Sequence, residues 1–217
     1  MEIPEEAFSQ ILAELEKRPL SVNRYRKKVG EGRSQAFGIV GRRSMPPDYS
    51  RNCWTRPYLY GLLLDFGRKY CSIPFTSITI NQNYKAGQHR DRNNVGNSFL
   101  VSFGSFTGGE LEIHEGDKKG VWDICRKPII EDFSKNLHSV KDFSGTRISL
   151  VFYTYHCPRY PTPSFPPPSV RQEGKKWFFY RGDQKCLHLP HPLRGRKKEK
   201  KGVALTITDT PTEVAFP

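Results

Sequence analysis

The sequence has few cysteines and no long apolar run. Its five cysteines are odd in number and form no C-x-x-C pair, so we expect reduced thiols and neither a disulfide framework nor a common zinc spacing. The longest apolar stretches, 58–64 and 148–153, are far shorter than a bilayer requires. The acidic start, Met-Glu-Ile-Pro-Glu-Glu, lacks the basic and apolar regions of a signal peptide. We therefore expect an intracellular protein with no membrane partner.

Acidic residues are also scarce beside the basic ones. The 217 residues include 35 Lys and Arg against 22 Asp and Glu, a net charge of +13. Most of the excess lies in residues 17–56, with +9, and residues 175–201, with +8. Because cations that neutralise phosphates supply most non-specific affinity for nucleic acid, these two flanks predict a nucleic-acid partner. Alternatively, the basic runs are only solvated surface or serve as a nuclear localisation signal. We expect the protein to be nuclear.

The most informative stretch present is Asn83 to Asn97, centred on His89-Arg90-Asp91. In an extended segment, His89 and Asp91 project to the same side and can bind one ion together. A second histidine completes the facial triad that holds non-haem Fe(II) and leaves positions open.

Of the histidines further along the chain, we choose His138, because Arg147 follows it within an apolar run. The planar fork of an arginine suits the far carboxylate of an anionic cosubstrate. His114 is the alternative ligand.

Serial short strands separated by turns dominate the middle of the chain. Phe75 to Tyr84 alternates polar and apolar residues and leads directly into the histidine motif. Helical spacing of apolar residues predicts helices over 4–17 and 57–70. The sequence therefore predicts an α+β protein with a double-stranded β-helix (jelly roll) core and N-terminal flanking helices.

We divide the chain into four segments. Residues 1–54 are an N-terminal helix and basic loops with short strands, and residues 55–158 are the β-helix core. Residues 159–174 are a proline-rich linker, of which the part 159–168 is unsuited to regular structure, and residues 175–217 are a basic tail. Cations and aromatic rings alternate in the tail, which suits a nucleic-acid strand. Cys157, Cys186, His188 and His191 offer a weak zinc alternative.

Two segments closely resemble motifs of the TET and JBP nucleic-acid base oxygenases, which depend on Fe(II) and 2-oxoglutarate. They are H-R-D-R-N-N, from His89 to Asn94, and T-R-I-S-L-V-F-Y, from Thr146 to Tyr153. The resemblance covers residues 75–157. The chain lacks the long cysteine-rich module of the animal enzymes, so it is more similar to compact protist, algal, fungal or viral members.

The resemblance implies roles for particular residues. His89, Asp91 and His138 would bind iron, Arg147 and Ser149 the far carboxylate of 2-oxoglutarate, and Asn94 and Tyr153 the flipped base. The family places a histidine where this chain has Tyr155, which leaves the identity of the base open. The alternative is a purely structural role, in which Asn94 forms a tight turn and the aromatic residues of 152–155 belong to the core.

The strand before the motif supplies further candidates. Strand parity places Asn81 and Asn83 on one face and Tyr84 on the other, and either set can bond the cosubstrate. Turn bonds made by polar residues at a strand end are equally consistent with the pattern.

The implied activity is oxidation of the 5-methyl group of 5-methylcytosine or thymine, in DNA rather than RNA. Fe(II), 2-oxoglutarate and O₂ are the expected cofactors, with ascorbate as reductant, and we expect a monomer. The alternatives are an oxygenase of the same fold that acts on RNA, alkylated bases or protein side chains, and an inactive jelly roll that only binds nucleic acid.

Overall fold

The computed structural model describes residues 2–22, 30–42, 45–160 and 167–186. Its helices are α1 (Ser9–Lys17), α2 (Asn52–Thr55) and α3 (Pro57–Tyr70), and a 3₁₀ turn, Glu5–Phe8, precedes α1. Its strands are β1 (Gly30–Arg42), β2 (Met45–Tyr49), β3 (Ser77–Ala86), β4 (Asn94–Gly108), β5 (Leu111–Ile113), β6 (Gly120–Trp122), β7 (Ile129–Glu131), β8 (His138–Val140), β9 (Phe143–Tyr155), β10 (Pro168–Glu173), β11 (Lys176–Arg181) and β12 (Gln184–Cys186).

Two sheets build the centre of the molecule. In the described residues, the large sheet has the order β2-β1-β3-β9-β4-β7 and the small sheet has the order β6-β5-β8. The chain crosses between the sheets repeatedly: β3, β4, β7 and β9 belong to the large one and β5, β6 and β8 to the small one. His89 joins the small sheet through a bridge to His138. This winding is a double-stranded β-helix, so the predicted fold class is confirmed.

Each face of the large sheet has its own apolar cluster. On one face, residues of α1 and α3 pack against alternate residues of the central strands, such as Ile80, Phe103 and Phe152. Between the two sheets lies a smaller cluster, which contains Leu100, Leu111, Ile113, Ile124, Ile129 and Phe133. Because both faces are covered, residues 147–150 of β9 are buried without alternation.

The predicted helices are confirmed. The first begins as a 3₁₀ turn and continues as α1, with Phe8, Ile11 and Leu15 buried against the core. The second is α3, which begins at Pro57, where the missing N–H of proline costs no hydrogen bond. No helix of the described residues is long and apolar enough to cross a bilayer.

The N-terminal region differs from the predicted loops and short strands. The 13-residue strand β1 pairs with β3 from Gly30↔Ala86 to Gly38↔Ser77 and so widens the core sheet. The sequence pattern did not predict β1, because glycines and polar residues interrupt the alternation of polar and apolar residues on which strand prediction depends.

The predicted linker, residues 159–174, contains strand β10, which begins at Pro168, where the segment 159–168 that we expected to lack regular structure ends. β10, β11 and β12 form a third antiparallel sheet that packs on α3 through Val170 and Phe179. Prolines are tolerated here because β10 is an edge strand. The rest of the tail, with its basic run 194–201, lies outside the described residues, and the division into segments stays a prediction.

Candidate metal centre and cofactor cleft

Three predicted ligands lie together at the mouth between the sheets. One ligand atom from each of His89, Asp91 and His138 lies within 4.8 Å of the others. The two histidines face each other across a bridge in which each backbone N–H donates to the other carbonyl, over 2.9 and 3.0 Å. The backbone N–H of Asp91 donates to the carbonyl of Phe133 over 2.8 Å. Backbone pairing therefore holds all three side chains in place.

The hydrogen bonds of the imidazoles select the nitrogen that faces a metal. Nδ1 of His89 lies 2.8 Å from the carbonyl of Gly87, and Nδ1 of His138 lies 3.0 Å from the carbonyl of Asn136. A carbonyl only accepts, so Nδ1 carries the proton in both rings and Nε2 keeps its lone pair. Two neutral imidazoles and one carboxylate are the donor set of a non-haem Fe(II) site, and these residues fit that ion.

Arg147 is a buried cation at the base of the cleft. Its side chain belongs to a residue that is only 3% exposed, and its Nε and Nη2 have no hydrogen-bond partner in the described residues. Burial lowers the pKa of Arg147 to about 10, and the rings of Phe106 and Phe143 lie 5.5 and 5.8 Å from its guanidinium. An unpartnered buried cation is costly, so the site fits an anionic ligand such as the far carboxylate of 2-oxoglutarate.

A bulge in β3 changes the predicted strand parity. Asn83 has φ +50°, and Asn83 and Tyr84 together lie opposite the single residue Gly32 of β1. Asn81 and Tyr84 therefore both line the cleft, although parity placed them on opposite faces. The prediction that Asn83 shares a face with Asn81 is wrong, because regular alternation ends at the bulge.

Ser149 lies directly across from Asn81. The two residues are register partners in β9 and β3, and Nδ2 of Asn81 donates to Oγ of Ser149 over 3.2 Å. Both line the cleft beside Arg147. Their proposed contacts with the cosubstrate stay a prediction.

The predicted base-contact residues line the outer part of the same cleft. Tyr153 receives a 3.4 Å hydrogen bond from the hydroxyl of Thr79. Burial and the neighbouring Cys157 raise the pKa of Tyr155. Asn94 closes a turn by donating its backbone N–H to the carbonyl of Asp91, its side-chain Nδ2 donates to Oγ of Ser98 over 3.3 Å, and the residue lines the cleft. The turn at Asn94 is therefore compatible with the predicted contact between this residue and the base.

The cleft has a volume of about 710 Å³ and a positive lining. Among the described residues that line it, Asp91 is the only carboxylate, and the cations are Arg90, Arg92 and Arg147. A small diacid fills only part of this volume, so the cleft has room for a second molecule beside it.

The alternative metal ligands are not part of this group. Nε2 of His114 lies 2.9 Å from the hydroxyl of Ser139 instead. In the part of the chain that the structure describes, His89, Asp91 and His138 form the only cluster able to hold a metal. His188 and His191 lie outside the described residues.

The sequence did not identify the wall that β1 contributes. Ser34, Ala36 and Gly41 line the cleft, and a Cβ added at Gly41 would lie 2.2 Å from the hydroxyl of Tyr155. Only the pairing of β1 with β3 brings these residues to the site, and no local pattern predicts pairing between distant segments.

No protein-family model and no curated protein matches the chain. Its fold is similar to several solved structures at low identity. NgTET1 in complex with 5mC DNA is 18% identical over 70% of this chain and 69% of that one, with a TM-score of 0.46. A 2OG-Fe(II) oxygenase family oxidoreductase from Burkholderia pseudomallei is 21% identical over 69% and 77%, with a TM-score of 0.47. A Pseudomonas putida prolyl-4-hydroxylase is 15% identical over 71% and 89%, with a TM-score of 0.44.

Proposed function

We propose that this protein is an Fe(II)- and 2-oxoglutarate-dependent dioxygenase that oxidises the 5-methyl group of 5-methylcytosine or thymine in DNA. One observation carries the proposal: the buried, unpartnered guanidinium of Arg147 lines the same cleft as the ligand group of His89, Asp91 and His138. A metal site with open positions and a cation for a second carboxylate together fit a dianionic chelator.

Each residue of the inner cleft has a role in this proposal. When bound, iron and 2-oxoglutarate supply the reaction of O₂ with a C–H bond, which yields a hydroxymethyl group, succinate and CO₂. Nε2 of His89 and of His138 and the carboxylate of Asp91 hold the metal. Arg147 and Ser149 hold the far carboxylate of the cosubstrate, and Asn81 and Tyr84 orient its near end.

The outer cleft supports a nucleobase as the substrate. Its walls carry neutral hydrogen-bonding groups and aromatic rings, including Thr79, Tyr153 and Tyr155, rather than the carboxylates that would bind a cationic side chain. An amide such as Asn94 both donates and accepts, as the edge of a base requires. The positive flanks of the sequence and its resemblance to the TET and JBP motifs support DNA.

The test is nucleoside mass spectrometry on methylated and unmethylated DNA and RNA, incubated with the protein, Fe(II), 2-oxoglutarate and ascorbate. Hydroxymethylcytosine or hydroxymethyluracil should form with the wild type and disappear with Asp91→Ala. Asp117→Ala is the matched control, because Asp117 is an exposed carboxylate outside the cleft.

The same assay separates the alternatives. Succinate without an oxidised nucleoside would reject the base substrate and keep the iron site. Nucleic-acid binding without any succinate would favour the inactive jelly roll.

A further inference from the structure

The chain makes an outward bulge just after the metal ligand Asp91. Val95 pairs with Thr154 and Phe99 pairs with Phe152, so three residues of β4, 96–98, face one residue of β9, Tyr153. Gly96 has φ +67°, and a Cβ added there would meet no atom within 4 Å. The tip of the bulge therefore stands clear of the rest of the described chain.

Residues 92–97, which contain the first two residues of this bulge and the four residues before it, are here called the rim bulge and present a particular set of side chains. Val95 is 49% exposed, and Arg92, Asn93 and Asn97 are exposed beside it. Arg92 has no ion pair within the described residues, whereas its neighbour Arg90 pairs with Glu115. The rim bulge thus combines one exposed apolar side chain, Val95, with two amides and an uncommitted cation.

Position distinguishes Val95 from other exposed apolar residues. A single exposed valine is ordinary on a protein surface. Val121, for example, is 51% exposed on β6, the edge strand of the small sheet, and does not line the cleft. Val95 instead lies between Asn94, which lines the cleft, and the bulge 96–98, which is opposite Tyr153, another residue of the cleft.

A base in duplex DNA has to be extruded before it reaches the cleft, and the rim bulge lies where it could assist this extrusion. The inference rests on the proposed function, because only a base inside a duplex has to leave a stack to reach the metal. Extrusion leaves a gap between the neighbouring base pairs and an unpaired partner base. Proteins that open stacks insert apolar side chains between base steps and neutralise the flanking phosphates with cations.

We propose that the rim bulge is a wedge that enters double-stranded DNA when the target base is extruded. Val95 fills the gap in the stack, and the amides of Asn93 and Asn97 bond the unpaired partner base. Arg92 contacts a phosphate beside the gap. The substrate form that this surface fits is therefore a duplex, and the same strand alone needs no wedge.

The experiment compares one methylated strand, alone and in a duplex, with the wild type, Val95→Ala and the matched control Val121→Ala. Val95→Ala should lose about tenfold in oxidation rate on the duplex and less than about twofold on the single strand. A second readout needs no turnover: 2-aminopurine placed next to the target base should brighten when wild-type protein unstacks the duplex, and less so with Val95→Ala.

The outcomes separate this inference from the proposed function. Equal duplex rates and equal 2-aminopurine signals for the wild type, Val95→Ala and Val121→Ala would overturn the wedge. An equal loss on both substrate forms would also overturn it, because Val95 would then act on the base or on folding. No oxidised base with wild-type protein on either form would instead reject the proposed function itself.

Discussion

The backbone N–H of Arg147 donates a 2.8 Å hydrogen bond to Oδ1 of Asn83. Asn83 is also the residue of β3 with positive φ, a conformation that asparagine tolerates better than most residues. One side chain therefore supports the bulge that turns Tyr84 toward the cleft and fixes the backbone that carries the guanidinium.

Replacing Asn83 should separate these two contributions. Asn83→Gly keeps the backbone conformation and loses the acceptor, so the free energy of unfolding should fall by about 1 kcal/mol. Asn83→Ala also loses the acceptor and leaves at positive φ a residue that tolerates this conformation less well than asparagine or glycine, so it should lose about 1 kcal/mol more. Chemical denaturation measures both values. Equal stability of the glycine variant and the wild type would show that the bond to Arg147 contributes nothing.

Arg147 should destabilise the protein when no ligand is bound. Its charge is buried without an ion pair among the residues that the structure describes, so Arg147→Met should raise the free energy of unfolding by about 1 kcal/mol or more. The same change should abolish the thermal stabilisation that 2-oxoglutarate gives the wild type with Mn(II). Arg68→Met, at an exposed site on α3, is the control and should change neither quantity.

The pH dependence of this difference has a definite sign. Burial lowers the pKa of folded Arg147 to about 10, below its value in the unfolded chain. The advantage of Arg147→Met should therefore be constant below about pH 10 and shrink above it, where the folded wild type releases the proton. An advantage that grew with pH in denaturation experiments would contradict this account.

The grouping of His89, Asp91 and His138 was predictable because local spacing and chemistry agree. Period two places His89 and Asp91 on one side of an extended segment, and the arginine that follows His138 restricted the choice of the second histidine. The structure brings these three residues together and adds Arg147 to the same cleft.

The rest of the site depends on irregular or distant pairing. Asn81 and Tyr84 share the cleft only because the bulge at Asn83 breaks the alternation, and a sequence pattern assumes that alternation continues. Ser34 and Gly41 reach the cleft only because β1 pairs with β3. The composition of residues 20–53 indicated loops and short strands, but pairing with β3 makes residues 30–42 one long strand.

Gly41 should control the position of Tyr155. A Cβ at Gly41 would lie 2.2 Å from the tyrosine hydroxyl, and the end of a side chain can move at low cost. Gly41→Ala should therefore change the free energy of unfolding by less than about 1 kcal/mol and displace the ring from the cleft. If Tyr155 contacts the base, oxidation of DNA should slow, while binding of 2-oxoglutarate stays unchanged.

A second substitution tests the cause. Tyr155→Phe removes the clashing hydroxyl and leaves only the ring carbon Cζ, 3.0 Å from the added Cβ, in tight contact, so Gly41→Ala should slow oxidation much less in the Tyr155→Phe background than in the wild type. The four rates form a double-mutant cycle. Additive losses in that cycle would show that Gly41 acts independently of Tyr155.

Two glycines of α3 should respond to alanine in opposite directions. A Cβ at Gly61 would make an ordinary 3.4 Å contact with Val170, so Gly61→Ala should stabilise the protein by about 0.5 to 1 kcal/mol through helix propensity. A Cβ at Gly67 would lie 2.6 Å from the ring of Phe152 and 2.7 Å from that of Phe75. Phe152 is fully buried, so overpacking should make Gly67→Ala destabilising by about 1 to 3 kcal/mol. Thermal unfolding of both variants gives the comparison. A destabilised Gly61→Ala would mean that β10 packs more tightly on α3 than described, because the added methyl group would then clash with Val170.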